Sequence, residues 1–237
     1  MEYDYSNQEA YVQTQTAEQI ATKVRTFFNK VYLWLATSMA VSAAAAIYTA
    51  NDRTLMHQVM DNFMILCITT LVLVVVMCFA SRKLTASALK VLLLAYSALQ
   101  GAILSPLLTI FTAESIGITF ASTAGMFAAM ALYGLTTKRN LGSMGRTLMM
   151  MLLGLIIATI ANRFIGGGTM ELGICIAGIV IFSLFTAYDF HQLQQEGAYL
   201  EGEETRDKAA VLGALGLYIN FYNLFLYLLR FLGNFED

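Results

Sequence analysis

Long apolar runs alternate with short polar stretches along most of this chain. A helix that crosses a bilayer needs about 20 mostly apolar residues. By that rule the pattern predicts seven membrane-spanning helices, or six if one segment is re-entrant. Their approximate ranges are 28–50, 60–81, 87–111, 115–137, 147–165, 170–191 and 210–233. Residues 112–114 separate the third and fourth helices, and the glycines at 166–168 predict a tight turn between the fifth and sixth.

The composition separates the chain from soluble proteins. Of its 237 residues, 58% are hydrophobic and 13% are charged, whereas soluble domains carry about 25% charged residues. A net charge of -2 argues against a nucleic-acid partner, because such a partner would require a basic face. We therefore expect an all-α integral membrane protein whose surrounding partner is the lipid bilayer.

Basic residues predict the orientation of the chain. They cluster on one side of the predicted helices, and lysine and arginine favour the cytoplasmic side. The cluster consists of Lys23, Arg25, Lys30, Arg82, Lys83, Lys138, Arg139, Arg146, Arg206 and Lys208, against Arg53, Arg163 and Arg230 on the other side. We expect residues 1–26 to form a polar cytoplasmic tail without a cleavable signal peptide, followed by a single transmembrane domain at 27–235.

The last predicted helix carries one stripe of small and polar residues. These residues recur every three or four positions, and the positions between them are largely apolar. The stripe consists of Gly213, Gly216, Asn220, Asn223, Tyr227 and Arg230. Small residues let helices approach closely, so one interpretation is a packing seam. The other is an ion path lined by Asn220 and Asn223, and the two interpretations are compatible.

Asp189 follows a long apolar run at residues 179–188. Removal from water disfavours the charged form of a carboxylate. Asp189 is therefore a candidate proton-sensitive latch or a ligand for calcium, unless it simply marks the cytoplasmic end of its helix. We interpret the neighbouring His191 as an interfacial side chain. The acidic stretch at 194–208 is interpreted as a solvated cytoplasmic loop, since its spacing does not match an EF-hand.

The third predicted helix contains Pro106, the only proline of the chain. Proline kinks a helix and frees a backbone carbonyl about one turn earlier, here near Ala102. Inside a membrane that carbonyl needs a polar neighbour or water. Gln100, Ser105 and Pro106 are therefore predicted to line the polar interior.

An ordered set of sequence blocks resembles the Bax inhibitor-1 family in its bacterial branch. The blocks are LQGAILSP (99–106), TAGMFAAMALYG (123–134), TTKRNL (136–141), TAYD (186–189) and LYINFYNLF (217–225). Each block alone is a weak signal, but their combination is specific and the resemblance covers roughly residues 20–235.

The resemblance implies six helices arranged around a central seventh, and a pH-sensitive calcium leak gated by two aspartates that share a proton. The first aspartate corresponds to Asp189, whereas the position of the second holds Asn220. An aspartate–asparagine pair keeps a hydrogen bond but loses the repulsion that couples two carboxylates. It also offers calcium one negative charge instead of two. We therefore expect weakened gating in this chain.

The resemblance further implies a basic residue that restrains the aspartates. Arg82 is the candidate for this role, and its alternative role is that of a positive-inside anchor at a helix end. The structure decides where its side chain lies.

Two functions are compatible with these observations. The first is a cation leak, passing calcium, with Asp189 as the sensing group. The alternative is a membrane protein without transport that modulates a membrane-bound protease or a stress response, a role that the resemblance implies for bacterial members. We expect neither enzyme activity nor a cofactor, because the chain lacks an HExxH motif and a second carboxylate in a GxGD-like setting. The resemblance implies a bacterial inner membrane.

Overall fold

The computed structural model describes the backbone of residues 5–139, 141–166 and 168–233. Side chains are described within these ranges from residue 17 onward, with residues 163 and 165 excepted. Nearly all of this part of the chain is helical, and it contains no β-strand. The helices are α1 (Tyr5–Asn51), α2 (Arg53–Asp61), α3 (Phe63–Ala80), α4 (Ala86–Leu104), α5 (Leu107–Ile110), α6 (Ala113–Thr136), α7 (Met144–Ile165), α8 (Gly168–Tyr199) and α9 (Glu203–Leu232).

Seven helical segments of the described chain are long and apolar enough to cross a membrane, judged by length and composition. They are α1, α3, α4 together with α5, α6, α7, α8 and α9. Helices suit a bilayer because they satisfy their own backbone hydrogen bonds where water is absent. The all-α class and the seven predicted spans are confirmed.

The charged stretch before the last span is helical. α8 continues to Tyr199 and α9 begins at Glu203, so residues 200–202 alone connect them. Gly202 has a φ of 79°, a left-handed conformation that glycine adopts without a steric penalty. The predicted loop at 194–208 is therefore wrong, because glutamine, glutamate and alanine are good helix formers and extend both helices.

Two further polar segments are helical. α2 lies mostly between the first two predicted spans, and Asp52 caps it by accepting hydrogen bonds from the backbone N–H groups of Thr54 (2.8 Å) and Leu55 (3.2 Å). The predicted N-terminal tail belongs to α1 from Tyr5 onward. Residues 1–4 of that tail lie outside the described residues.

The glycine turn between the fifth and sixth spans is described in part. α7 ends at Ile165, α8 begins at Gly168, and Gly166 has a φ of 65°. Gly167 lies outside the described residues, as do residues 234 and 235 at the end of the predicted domain.

Helix α9 is the most buried of the seven spans. It packs against α1, α4, α6 and α8, whereas α3 packs chiefly against α4, and α7 against α8. α9 therefore has four close neighbours, and the arrangement of six helices around it stays a prediction.

Pro106 ends α4 and separates it from the short helix α5. The carbonyl oxygen of Ala102, which the proline leaves without its usual donor, accepts hydrogen bonds from Ser105 N (3.2 Å) and Ser105 Oγ (2.7 Å). The local chain thus supplies the polar neighbour that the bilayer does not.

Two glycines let helices approach backbone to backbone. A Cβ atom on Gly101 of α4 would overlap the carbonyl oxygen of Ser42 in α1, and one on Gly134 of α6 would overlap the carbonyl oxygen of Ala187 in α8. Backbone cannot yield as a flexible side chain does, so these positions exclude any larger residue.

We predict that Gly101→Val destabilises the protein strongly, because the added side chain must push α4 away from α1. Overpacking of this kind costs about 1–3 kcal/mol or more. The control is Gly125→Val, which makes the same substitution within a helix where a Cβ would meet no atom within 4 Å. The unfolding midpoint in detergent should fall for Gly101→Val and change little for the control; equal midpoints would contradict the prediction.

Candidate functional site

The predicted pair of Asp189 and Asn220 is formed. Asn220 Nδ2 donates a hydrogen bond of 2.7 Å to Asp189 Oδ2, which joins α8 to α9. Asn220 is 4% exposed, while Asp189 is half-buried. Hydrogen bonds to a charged partner are stronger than neutral ones, so this contact fixes the two helices relative to each other at one level of the bundle.

The predicted stripe on α9 turns toward α8 along much of its length. Gly213 faces Leu193, and a Cβ on Gly216 would lie 3.4 Å from Asp189 Oδ2. Further along, Tyr227 lies over Gly178 of α8. The stripe is therefore a packing seam, and its small residues make the room that Asp189 needs to reach Asn220.

A cleft of about 390 Å³ between α8 and α9 leads to Asp189. Glu196, two turns further along α8, is exposed and also lines the cleft. The cleft lies on the side of Asp189 that faces the connection between α8 and α9. Two carboxylates on one face of a helix give this cleft a negative potential that attracts cations.

A second cavity, of about 560 Å³, lies further along α9 in the opposite direction. Its polar lining comes from several helices: Thr70 of α3, Tyr96 and Gln100 of α4, Thr159 of α7, and Asn223 and Tyr227 of α9. Because Asn223 Nδ2 donates to the carbonyl of Ile219 (2.8 Å), its amide oxygen stays available as an acceptor toward this cavity.

The remaining predicted site residues do not lie together in the fold. Gln100 lines the second cavity and donates to the Tyr96 hydroxyl (2.9 Å). Ser105 is fully buried, and its hydroxyl donates to the carbonyl of Ala102 that Pro106 leaves free. Ser105 and Pro106 therefore belong to the helix break. Arg82 is exposed in the turn after α3, and no described carboxylate forms a salt bridge with it. Its restraining role stays a prediction.

His191, interpreted above as an interfacial side chain, is buried among the helices and 8% exposed. Its Nδ1 atom lies 3.2 Å from the carbonyl oxygen of Gly134, an acceptor, so Nδ1 carries the proton. Nε2 then accepts from the amide of Gln195 at 3.0 Å. His191 thus ties α8 to α6 beside Asp189. Sequence reasoning missed this contact because Gly134 lies on another helix, 57 residues away along the chain.

An ion-pair cluster, which sequence reasoning missed, holds one end of α9. Asp207 accepts from Lys30 of α1 (2.5 Å) and from Lys90 of α4 (2.8 Å). One turn earlier, Glu204 accepts from the backbone N–H of Ala86 (2.8 Å) at the start of α4. Partly buried pairs are screened less than exposed ones, so the cluster fixes α9 against two neighbouring helices.

The described residues bring together no group of three or more histidine, cysteine, aspartate or glutamate side chains that could hold a metal ion. Calcium in a resident site takes six to eight oxygen ligands. Asp189 with one amide partner supplies far fewer oxygen ligands than such a site.

Comparisons with known proteins agree with this architecture. The family model described as "Inhibitor of apoptosis-promoting Bax1" matches residues 24–237. The chain is 39% identical over 216 residues to "Inner membrane protein YbhL" of Escherichia coli (strain K12), covering 89% of this chain and 92% of that protein. It is 35% identical over 222 residues to a protein of Deinococcus radiodurans, covering 94% and 96% of the two chains. A Borreliella burgdorferi protein is 38% identical over 224 residues, covering 93% and 96%.

Seven helical segments of the described chain that are apolar and long enough to cross a bilayer define a polytopic α-helical membrane protein, with a polar contact between the last two. The match over nearly the whole chain goes further: the chain belongs to the Bax inhibitor family.

We predict that Asn220→Ala destabilises the protein more than Asn223→Ala does. The first change leaves the half-buried carboxylate of Asp189 without its donor, which costs about 1–3 kcal/mol. The second removes a bond from Asn223 to the backbone of its own helix. Unfolding midpoints in detergent at neutral pH measure the difference, and a larger loss for Asn223→Ala would show that the Asp189 contact is not the stabilising one.

Proposed function

We propose that the protein is a cation leak that passes calcium, in which Asp189 senses protons or contacts the ion. The observation that carries this proposal is the position of the Asp189–Asn220 hydrogen bond, with the acidic cleft on one side and, on the other, the second cavity, whose largely apolar lining includes uncharged polar side chains. A polar contact at that level is a natural closing point for a path through the bundle.

The chemistry of the two cavities suits a cation. Glu196 and Asp189 attract positive charge into the cleft, and beyond them the amide oxygen of Asn223 offers a neutral ligand. Hard cations prefer oxygen ligands. Because a single carboxylate lies at the Asp189–Asn220 contact, a divalent ion is attracted there without being held tightly.

We further propose that the N-terminus is cytoplasmic. The basic residues of the α3–α4 and α6–α7 connections lie on the same side of the bundle as the start of α1, as alternating spans require, and positive charge favours the cytoplasm. The cleft would then face the cytoplasm, and its carboxylates would respond to cytoplasmic pH.

The first test is calcium flux into liposomes that contain the purified protein. Asp189→Asn should reduce the flux several-fold, because it removes the charge at the contact with Asn220 while keeping a hydrogen-bonding side chain. The matched control is Asp61→Asn, the same substitution at an exposed position of α2, which should leave the flux unchanged. If Asp189→Asn and its control behave alike, Asp189 does not control permeation.

The second test is the pH dependence of the same flux in Asn220→Asp. Two carboxylates at hydrogen-bond distance share one proton, and their repulsion parts α8 from α9 once that proton is lost. The variant should therefore leak little at acid pH and steeply more as pH rises, whereas the parent protein should show a shallower dependence. Asn62→Asp, exposed at the start of α3, is the matched control, and equally shallow profiles would contradict the latch.

A second candidate function is interaction with a membrane-bound protease or a stress-response partner, without transport. The observation that favours it is the exposure of every described side chain from residue 17 to residue 23, at the polar end of α1. A polar helix end without a packing partner among the described residues offers a surface to another protein.

Deletion of residues 1–20 separates the two functions. The deletion should abolish the effect on a partner, measured as its activity in reconstituted membranes, because the contact surface is lost. Calcium flux should stay as in the full chain, since the cleft and the second cavity lie elsewhere. An unchanged partner effect would count against the interaction function, and a lost flux would show that this end of α1 belongs to the leak.

A further inference from the structure

The bundle has an apolar opening in its side, separate from the cleft and from the second cavity. In the described chain, α1 and α6 both pack against α9 but barely touch each other. Between them lies a pocket of about 240 Å³, with α9 as its floor and the α4–α5 break at its edge. Its lining includes Ala43, Leu104, Leu108, Ile116, Phe221 and Phe225. We call it the lateral pocket.

Three of the residues that line the lateral pocket carry a hydroxyl, Ser42, Tyr218 and Tyr222, and the first two are bonded to each other. Ser42 Oγ donates to the carbonyl of Ser97 and accepts from the Tyr218 hydroxyl, both at 2.5 Å. The surface that remains is aliphatic and aromatic. A dry apolar cavity of about 150 Å³ admits a molecule of the size of benzene, so the lateral pocket has room for a longer apolar group.

We propose that the lateral pocket binds the acyl chain of a membrane phospholipid, inserted between α1 and α6 against the aromatic face of α9. The proposal does not depend on ion transport. Its walls belong to membrane-spanning segments, so the molecules that reach its mouth are lipid tails.

The chemistry of the pocket selects this occupant. Water is disfavoured, because an ordered water needs two to four polar partners and, with Ser42 and Tyr218 bonded to each other, the lining offers it only the hydroxyl of Tyr222. An empty pocket is also disfavoured, since atoms that face a void lose their dispersion contacts. Lipid tails are as apolar as leucine. An acyl chain that moves from the bilayer into the pocket therefore pays no hydrophobic penalty, and it fills the void.

The helix break at Pro106 shapes the pocket. Leu104 is the last residue of α4 and Leu108 lies in α5, and both line the pocket. The residues at the break therefore form a rim for the acyl chain, which gives the proline a role in shaping a lipid site in addition to ending a helix.

The test uses quenching of tryptophan fluorescence by brominated phospholipids, which requires contact between the ring and the brominated chain. Trp34 is the only tryptophan of the chain, so Trp34→Phe provides a silent background. The reporter is Phe225→Trp, at a position that lines the pocket and is 7% exposed. The buried control is Phe127→Trp, at a position that is 9% exposed and outside the pocket lining. Phe79→Trp, at a position 84% exposed on α3, gives full contact with lipid.

We expect Phe225→Trp to lose emission in brominated vesicles nearly as Phe79→Trp does, while Phe127→Trp keeps its emission. Adding Ala43→Phe at the mouth of the pocket should restore the emission of Phe225→Trp, because the new ring blocks the chain. If Phe225→Trp does not fold, Phe221→Trp replaces it, since Phe221 also lines the pocket and is 9% exposed. Quenching of the reporter no greater than that of Phe127→Trp, or quenching unaffected by Ala43→Phe, would overturn the proposal.

Discussion

The hydrogen bond from Asn220 to Asp189 connects α9 to α8, the two most buried spans of the protein. A carboxylate so far inside a helical bundle is costly unless donors satisfy it, and the surroundings are arranged accordingly. Gly216 leaves the space that the carboxylate occupies, and His191 holds α8 against α6 two residues further on. The cleft and the second cavity both adjoin this level of the bundle.

The same requirement explains other polar contacts inside the bundle. The carbonyl that Pro106 leaves free is taken by Ser105. Ser42 bridges α1 to α4 and α9 through Ser97 and Tyr218. In water such groups would bond to solvent, but the hydrocarbon of a bilayer offers them neither donors nor acceptors. Polar side chains therefore connect helices here, while glycine determines how closely they approach.

The sequence predicts the seven spans well because hydropathy responds directly to the bilayer. It also predicts the Asp189–Asn220 pair, from the three- and four-residue spacing on α9 combined with the family resemblance. It does not predict the Lys30–Asp207–Lys90 cluster, because these partners are 177 and 117 residues apart along the chain. The acidic stretch at 194–208 is predicted as a loop for the same reason. No pattern in the neighbouring sequence indicates that Asp207 and Glu204 bond to residues of α1 and α4.

The length of α1 has a consequence for how the protein meets its surroundings. The stretch of α1 that contains its apolar span runs through Ala17–Asn51, 35 residues with the polar end included, which at about 1.5 Å per residue is a rod of roughly 50 Å. The hydrocarbon layer is about 30 Å thick, so this rod must either lean or stand well clear of the lipid on one side. The same rod carries Ser42, bonded to α9, and Lys30, bonded to Asp207. A displacement of the polar end of α1 would thus be transmitted to α9 at both contacts, through Lys30 and through Ser42.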